Sequence, residues 1–280
     1  MWILKKPELA EAKKDIDVVL KHCNGLNDGD KALLEQLYDD YDNGCGEVTQ
    51  LKLQPLESKK NIIKNQYDKT TGKLRNTRKN NHLVYIRTEL NKEVVKCPYC
   101  SINAPQQLDH YMDKAHYGQL AVCRLNLVPL CGTCNHDKGE KSYTDFVHPY
   151  YQHFPDTDFL VADCKIVKNS VVATFKVDRP ALGDNVLAGK IEKQMGHICL
   201  RSRLQKAITE FLSQIFLCFD GDTDEKLRKF MYIYAGKVKK QYGRNDWRTA
   251  LVRGLINCSQ FDINVVENMV SKPIINGIGA

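Results

Sequence analysis

The sequence predicts an α+β fold in which a small metal-stapled core lies between helical N- and C-terminal flanking regions. Apolar residues recur at helical spacing near both ends of the chain, two β-rich runs follow its centre, and two Cys-x-x-Cys pairs bracket a short segment. We therefore expect three regions: a helical region over 1–92 that ends in a basic stretch, the core over 93–155, and a β-hairpin followed by helices over 156–280.

The N-terminal region is predicted to contain two helices. Helical spacing runs from residue 7 to residue 42 and is broken by "NGLNDGD", so that Asp28 or Asp30 would cap the second helix. Residues 59–81 are rich in Asn, Thr and Gly, which favours a loop. The run "HLVYIRTEL" then predicts a short helix or strand that leads to the core.

Beyond the core, the run "FLVADCKIVKNSVVATFKVD" predicts a β-hairpin that turns at "KNS". From about residue 185 the apolar pattern becomes helical. A second basic cluster lies between residues 237 and 253. It is either a nucleic-acid-binding face or a solvated helix surface.

The composition is typical of a soluble protein, and we expect a cytoplasmic one. The chain has 280 residues, of which 42% are hydrophobic and 27% are charged. No apolar run approaches the roughly 20 residues that cross a bilayer, and the first residues lack the apolar stretch of a signal peptide. Eleven cysteines in such a chain indicate metal ligands where they cluster and core residues where they are scattered.

Positive charge is concentrated directly before the core. Residues 59–92 hold 10 Lys or Arg against 2 acidic residues, whereas residues 1–58 hold 7 against 12. Such a block suits a polyanion, because neutralising phosphates releases condensed counterions. A solvated loop without a partner explains the charge equally well. The candidate phosphate contacts are Lys73, Arg75, Arg78 and Lys79.

The two cysteine pairs are Cys97 with Cys100 and Cys131 with Cys134, and 30 residues lie between the pairs. Four thiolates in this arrangement fit tetrahedral zinc, because each short turn lets both sulfurs point at one ion. A redox-active pair needs only one such motif, in a thioredoxin-like context that this sequence lacks. A structural zinc ion would bring "QLDHYM" close to "NHDKGEK".

Around these cysteines the sequence resembles the HNH endonucleases. Their pattern is an Asp-His pair that ends a strand, an Asn-Leu before an apolar strand, and a Cys-x-x-Cys-Asn-x-x-Lys-Gly helix start. Here it reads Asp109-His110, Asn126-Leu127 and "CGTCNHDKG" over 131–139, so the match covers about 50 of 280 residues. The resemblance implies a ββα-metal fold, with a catalytic divalent ion between strand and helix.

Carried over by position, the resemblance implies that His110 is a general base that activates water. It implies that Asp109 and Asn135 bind one Mg²⁺ or Mn²⁺ ion and that Asn126 holds the loop that orients His110. These residue types suit phosphodiester hydrolysis, because neutral imidazole is available at pH 7 and a hard divalent ion stabilises charge on the phosphate. Lys138 would contact a neighbouring phosphate or lie on the helix surface.

Two positions depart from the family pattern. Many members have a proline three positions after the histidine and a Gly-Gly soon afterwards, where this chain has Asp113 and "HYG". The third motif residue is often histidine, so His136 is an alternative metal ligand, alone or together with Asn135. His116 is either a loop residue or a supporting group.

The leading hypothesis is a metal-dependent endonuclease that acts on double-stranded DNA, as in restriction or phage-defence systems. RNA and single-stranded DNA are alternative substrates. A rival hypothesis is a zinc-stapled nucleic-acid-binding module without catalysis, which needs the cysteines and the basic stretch only. A third hypothesis makes the chain the nuclease subunit of an assembly with a protein partner such as an ATPase subunit.

Overall fold

The computed structural model describes residues 3–70 and 81–270, in which helices predominate over two small antiparallel sheets. This mixture confirms the α+β class. The chain divides into two compact units, with the boundary between His153 and Phe154. The three-region division stays a prediction. None of the helices in the described ranges is both long and apolar enough to span a membrane.

The N-terminal unit begins with helices α1 (Leu9–His22) and α2 (Asp28–Asn43), which pack on each other. The Asn27 side chain accepts a hydrogen bond from the Asp30 N–H, and the Asp30 carboxylate accepts one from the Asn27 N–H, each at 3.0 Å. The expectation that Asp28 or Asp30 caps α2 is therefore wrong, because Asn27 is the cap and Asp30 completes a capping box.

Short helical segments follow α2. The loop expected over 59–81 is wrong for residues 59–70, which form helical segments with Ile63 fully buried in the core, and residues 71–80 lie outside the described ranges. Of the two alternatives for "HLVYIRTEL", the structure has the helix. The elements are α3 (Gln50–Leu53), a 3₁₀ segment (Gln54–Lys59), α4 (Lys60–Gln66), a second 3₁₀ segment (Tyr67–Thr70) and α5 (Val84–Asn91).

Two short strands and a helix follow. Strand β1 (Gln107–His110) pairs antiparallel with β2 (Leu127–Leu130), so that the end of β1 lies against the start of β2. All four residues of β2 are buried, which places this sheet inside the unit. Helix α6 (Gly132–Lys138) starts directly after Cys131, whose Sγ accepts a hydrogen bond from the N–H of Cys134.

A buried ion pair connects the N-terminal helices to this sheet. The Arg124 guanidinium donates to both carboxylate oxygens of Asp15 in α1, at 2.6 and 2.7 Å, and to Glu89 in α5 at 2.8 Å. Asp15 also accepts a hydrogen bond from the Tyr85 hydroxyl at 2.7 Å. Burial raises the pKa of Asp15 above its ordinary value, although Arg124 opposes the shift. The helices and the sheet are thus parts of one unit.

We expect Asp15→Ala to lower the free energy of unfolding of this unit by about 3–5 kcal/mol, because it leaves a buried guanidinium without its main partner. Glu89→Ala is the matched control, since its side chain is 53% exposed and its loss should cost less than about 1 kcal/mol. Urea unfolding in zinc-containing buffer measures both. An equal loss of unfolding free energy in the two variants would contradict the role of Asp15 as the main partner of Arg124.

The C-terminal unit contains a β-hairpin. Strand β3 (Leu160–Val167) pairs antiparallel with β4 (Ser170–Val177), and Lys168 and Asn169 between them have φ of 49° and 58°. Positive φ at both central residues is typical of a type I′ turn, whose twist matches that of the strands. The predicted hairpin is confirmed.

Helices form the rest of this unit, as the helical spacing predicted. Helix α11 (Trp247–Ile256) packs on β3 and on α10 (Asp224–Tyr242). Cys199, with φ of 49°, separates α8 (Asn185–His197) from α9 (Leu200–Phe216), although the sequence shows one continuous helical pattern there. The helices are α7 (Arg179–Leu182), α8 (Asn185–His197), α9 (Leu200–Phe216), α10 (Asp224–Tyr242), α11 (Trp247–Ile256) and α12 (Ile263–Val270).

Candidate metal and catalytic site

Four cysteines from two turns meet in the N-terminal unit. The Sγ atoms of Cys97, Cys100, Cys131 and Cys134 all lie within 4.8 Å of one another, and all four residues are buried. The Sγ atoms of Cys100 and Cys131 are 3.8 Å apart. Two sulfurs on one tetrahedral zinc, each about 2.3 Å from the ion, would be separated by about 3.8 Å. The cluster could therefore hold a zinc ion.

The local backbone directs these sulfurs towards one point. In the first turn, the Ser101 N–H donates to the Cys97 carbonyl oxygen at 2.8 Å. In the second turn, the Cys134 N–H donates to Cys131 Sγ at 3.4 Å. Hydrogen bonds from Cys100, and then from Cys134 and Cys97, lower the pKa of Cys131 far below its ordinary range. Hydrogen bonds within the cluster raise the pKa values of Cys97 and Cys134, so the metal-free cysteines share their protons, and binding of a metal would release them.

Helix α6 lies against β1 through two side-chain pairs. Asn135 Nδ2 donates to Gln107 Oε1 at 2.5 Å, and Lys138 Nζ lies 2.9 Å from Asp109 Oδ2. Residues two apart on a strand share a face, as do residues three apart on a helix. The structure therefore brings Asp109 and Asn135 to facing sides of one contact, which we call the β1–α6 contact.

Lys138 is buried in this contact. Its side chain is 1% exposed, and its ammonium also donates to the His110 carbonyl oxygen at 2.8 Å. It lies 5.8 Å from the centre of the Phe146 ring. The expectation that Lys138 lies on the helix surface is therefore wrong, because its ammonium is enclosed, and its contact with a phosphate stays a prediction. Burial raises the pKa of Asp109 above its ordinary value, and the Lys138 charge opposes this shift.

His110 is buried at the end of β1. Its Nε2 lies 2.9 Å from the Ala121 carbonyl oxygen, and its ring centre lies 4.3 Å from that of Tyr67. A carbonyl oxygen only accepts, so Nε2 carries the proton and Nδ1 carries the lone pair. Burial lowers the pKa of His110 to about 3; the Ala121 bond opposes the shift, and Lys114 and Lys138 add to it. The imidazole is therefore neutral at pH 7.

The burial of a neutral His110 makes the stability of the unit depend on pH. The pKa of His110 is 6.5 in the unfolded chain and about 3 in the folded protein. Between these pH values, the unfolded chain therefore binds more protons than the folded protein. Without divalent metal, we expect the free energy of unfolding to fall as pH drops below 6.5, by at most about 1.4 kcal/mol per pH unit.

Urea unfolding at pH values from 7 to 5 measures this dependence. His110→Gln should remove the His110 part of the slope, because glutamine does not titrate there and can still donate to Ala121. His153→Gln is the control, since His153 is an exposed histidine of the same unit. If the pH dependence of the unfolding free energy stayed unchanged in His110→Gln, buried His110 would not be its source.

Asn126 is fully buried and holds the loop between β1 and β2. Its Oδ1 accepts from the Met112 N–H at 2.8 Å, and its Nδ2 donates to the carbonyl oxygens of Met112 and Leu120 at 3.0 and 3.4 Å. Since Leu120 directly precedes Ala121, these bonds also position the carbonyl group that contacts His110. This is the geometry that the implied loop-holding role requires, and the role itself stays a prediction.

Sequence reasoning missed two tyrosines beside these residues. Tyr67 packs on the His110 ring, donates its hydroxyl to the Leu108 carbonyl oxygen, and has Lys114 Nζ 4.6 Å from its ring centre. Tyr41 donates to Asn126 Oδ1 at 3.1 Å. Nothing in the local pattern singled them out, although Tyr67 is an aromatic residue inside the basic stretch.

The remaining residues are half-buried, exposed or outside the described ranges. Asp113 is half-buried; it accepts from the His116 N–H at 3.0 Å and contacts the His116 ring at 2.9 Å, so it stabilises a turn at the position where many HNH endonucleases have proline. The His116 side chain is 74% exposed, and His136 is exposed on α6. Outside the described ranges lie Lys73, Arg75, Arg78 and Lys79.

The β1–α6 contact offers oxygen ligands for a divalent ion. Because the Asn135 amide donates through Nδ2 to Gln107, its Oδ1 is left to accept or to coordinate. Asp109 Oδ2 forms the ion pair with Lys138, and the Asp109 side chain is still 12% exposed. One carboxylate and one amide oxygen suit a hard ion such as Mg²⁺ or Mn²⁺. The donor set fits, although Lys138 and the ion would share Asp109.

The fold and the cysteine cluster define an α+β protein with a four-cysteine site that could hold zinc. No family model matches the chain, and no solved structure matches it. Part of it is similar to Protein ea31 of Escherichia phage lambda, with 34% identity over 93 residues. The match covers 31% of this chain and 31% of that relative, so it spans about a third of the relative's length.

Proposed function

We propose that this protein is a divalent-metal-dependent HNH endonuclease with β1, β2 and α6 as its ββα-metal core. The observation that carries the proposal is the buried His110, its Nε2 engaged by the Ala121 carbonyl oxygen, next to Asp109 at the β1–α6 contact. A zinc-stapled binding module without catalysis would need the four cysteines but not this arrangement.

His110 acts as the general base in this proposal. Since Nε2 donates to Ala121, Nδ1 is the atom that takes a proton from the attacking water. A pKa of about 3 makes free His110 a weak proton acceptor; a bound phosphodiester would raise that pKa through its negative charge, whereas the divalent ion on Asp109 would lower it. The Tyr67 ring packs on the imidazole with 4.3 Å between the ring centres, and together with the Ala121 hydrogen bond it helps to orient the imidazole.

Asp109 and Asn135 would hold the divalent ion, which when bound neutralises charge on the scissile phosphate. Lys138 orients the Asp109 carboxylate through the 2.9 Å ion pair, and Gln107 orients the Asn135 amide. Such supporting contacts set the position of a metal ligand before the metal arrives. Lys114, beside Tyr67, adds a cation that suits an anionic substrate near His110.

Cleavage assays with zinc-loaded protein test the proposal. The substrates are supercoiled plasmid, linear duplex DNA, single-stranded DNA and RNA, each with Mg²⁺, with Mn²⁺ and without a divalent ion. We expect metal-dependent cleavage of duplex DNA. Binding of these substrates without cleavage at any metal concentration would support the non-catalytic module instead.

Metal titrations of single variants test the ligand assignment. Asn135→Ala should raise the Mg²⁺ concentration for half-maximal cleavage about tenfold or more, because it removes an oxygen ligand. Asn135→Asp should keep the metal dependence near that of the parent protein, since it retains an oxygen at this position. His136→Ala is the matched control on the same helix. A larger effect in His136→Ala than in Asn135→Ala would reassign the ligand.

A further inference from the structure

The structure separates the second basic cluster into paired and unpaired residues. Arg244 and Arg253 both form ion pairs with Asp158, at 3.1 and 2.8 Å. Arg248 is 6% exposed and pairs with Asp246. These arginines therefore serve the packing of the C-terminal unit, and the free positive charge of this region lies on α10.

Helix α10 carries an exposed basic face. Six of its 19 residues are Lys or Arg, against two acidic residues in its first turn. Lys226 pairs with Asp222, whereas within the described ranges no acidic side chain forms an ion pair with the other five. The five exposed and unpaired residues are Arg228, Lys229, Lys237, Lys239 and Lys240.

An aromatic side chain lies within this basic face. Tyr232 is 66% exposed, and Ile233 beside it is 56% exposed. At 3.6 residues per turn, Arg228, Tyr232 and Gly236 follow one another along one side of the helix. A Cβ atom at Gly236 would meet no atom within 4 Å, so the helix surface at Gly236, one turn after Tyr232, is open.

We propose that this face of α10, defined by Tyr232 and the five unpaired cations, binds single-stranded nucleic acid. The cations would contact phosphates, and Tyr232 would stack on an unpaired base. Unpaired positive charge favours a polyanion as the ligand. The exposed Tyr232 ring among these cations favours a single strand over a duplex, because the bases of a duplex are already stacked on each other.

The same observations argue against a membrane surface as the partner. An interfacial helix needs a broad apolar face for the lipid. The apolar residues Leu227, Met231 and Val238 of α10 are instead buried within the C-terminal unit. The proposal does not rest on the proposed nuclease chemistry, whose residues all belong to the N-terminal unit.

Fluorescence anisotropy with the 280-residue, zinc-loaded His110→Ala protein tests the proposal. No Mg²⁺ or Mn²⁺ is added, and the probes are a labelled single strand and a duplex of equal length. We expect Tyr232→Ala to weaken binding of the single strand between about fivefold and about a hundredfold, with a smaller effect on the duplex. Tyr232→Phe should bind like the parent, because it keeps the ring.

Paired lysine substitutions test the electrostatic part. Lys229→Gln with Lys240→Gln should reduce the slope of log affinity against log salt for the single strand by about 1.4. The matched control is Lys176→Gln with Lys206→Gln, which removes two exposed lysines elsewhere in the same unit and should leave the slope near that of the parent.

Several outcomes would overturn the proposal. One is unchanged single-strand binding in Tyr232→Ala, and another is equal weakening of the salt slope by both lysine pairs. A third is loss of binding to phosphatidylserine vesicles in these variants while binding of the oligonucleotide stays unchanged. Because nothing is cleaved in this assay, failure of the nuclease proposal and failure of this one are distinguishable.

Discussion

Replacing His110 with alanine is expected to lower metal-dependent cleavage by about 10²–10⁴-fold, the usual contribution of a positioned general base. The substitution removes Nδ1, the proposed proton acceptor, without removing a ligand of either proposed metal site. Initial rates of plasmid cleavage at saturating Mg²⁺ measure the loss. Zinc content and circular dichroism should match those of the parent protein.

Two further variants separate the base from the packing around it. His116→Ala is the matched control, because His116 lies in the same segment and its side chain is 74% exposed. We expect the cleavage rate of this variant to stay near that of the parent protein. His110→Gln can keep a donor for the Ala121 carbonyl group but has no comparable base, so it should be as inactive as His110→Ala. Full activity of a folded His110 variant would exclude His110 as the base.

Loss of the cysteine site is expected to unfold the N-terminal unit. Cys134→Ser removes one of the four clustered sulfurs. Cys134 lies in α6, the helix that also carries Asn135 and Lys138. Structural zinc in zinc-finger peptides contributes about 10–16 kcal/mol of apparent binding free energy, which is comparable with the whole stability of a typical domain. We therefore expect the variant to lose zinc, its near-ultraviolet circular dichroism and all cleavage.

Metal analysis of the purified protein provides the measurement, with one zinc ion expected per parent chain. Cys45→Ser is the matched control, because Cys45 is an exposed cysteine of the same unit and lies outside the cluster. It should keep both the zinc and the spectrum. A Cys134→Ser protein that retains stoichiometric zinc and a native spectrum would contradict the proposed role of this site.

Local sequence patterns predicted the parts of the fold that local forces determine. The hairpin followed from two β-rich runs and the "KNS" turn, and its strands pair over Leu160–Val167 and Ser170–Val177. The meeting of the four cysteines followed from the geometry of two tight turns that can share one ion. In the hairpin and within each cysteine pair, residues close in sequence carry the information, and a shared ion explains why the two pairs meet.

Patterns failed where a residue is placed by partners far along the chain. Residues 60–70 looked like a polar loop, yet Ile63 is fully buried and Tyr67 packs on His110. Lys138 looked like a surface lysine, but its ammonium is enclosed by Asp109 and the His110 carbonyl group. No local periodicity encodes such contacts, because each depends on the packing of separate segments.

The sequence by itself determined the α+β class, the four-cysteine cluster and the identity of the candidate site residues, because motif spacing and short-range periodicity are properties of the chain. Only the tertiary structure decided the proton position on His110, the enclosure of Lys138 and which basic residues of the C-terminal unit are unpaired. Those properties depend on burial and on partners from distant segments, such as Ala121 for His110 and Asp158 for Arg253.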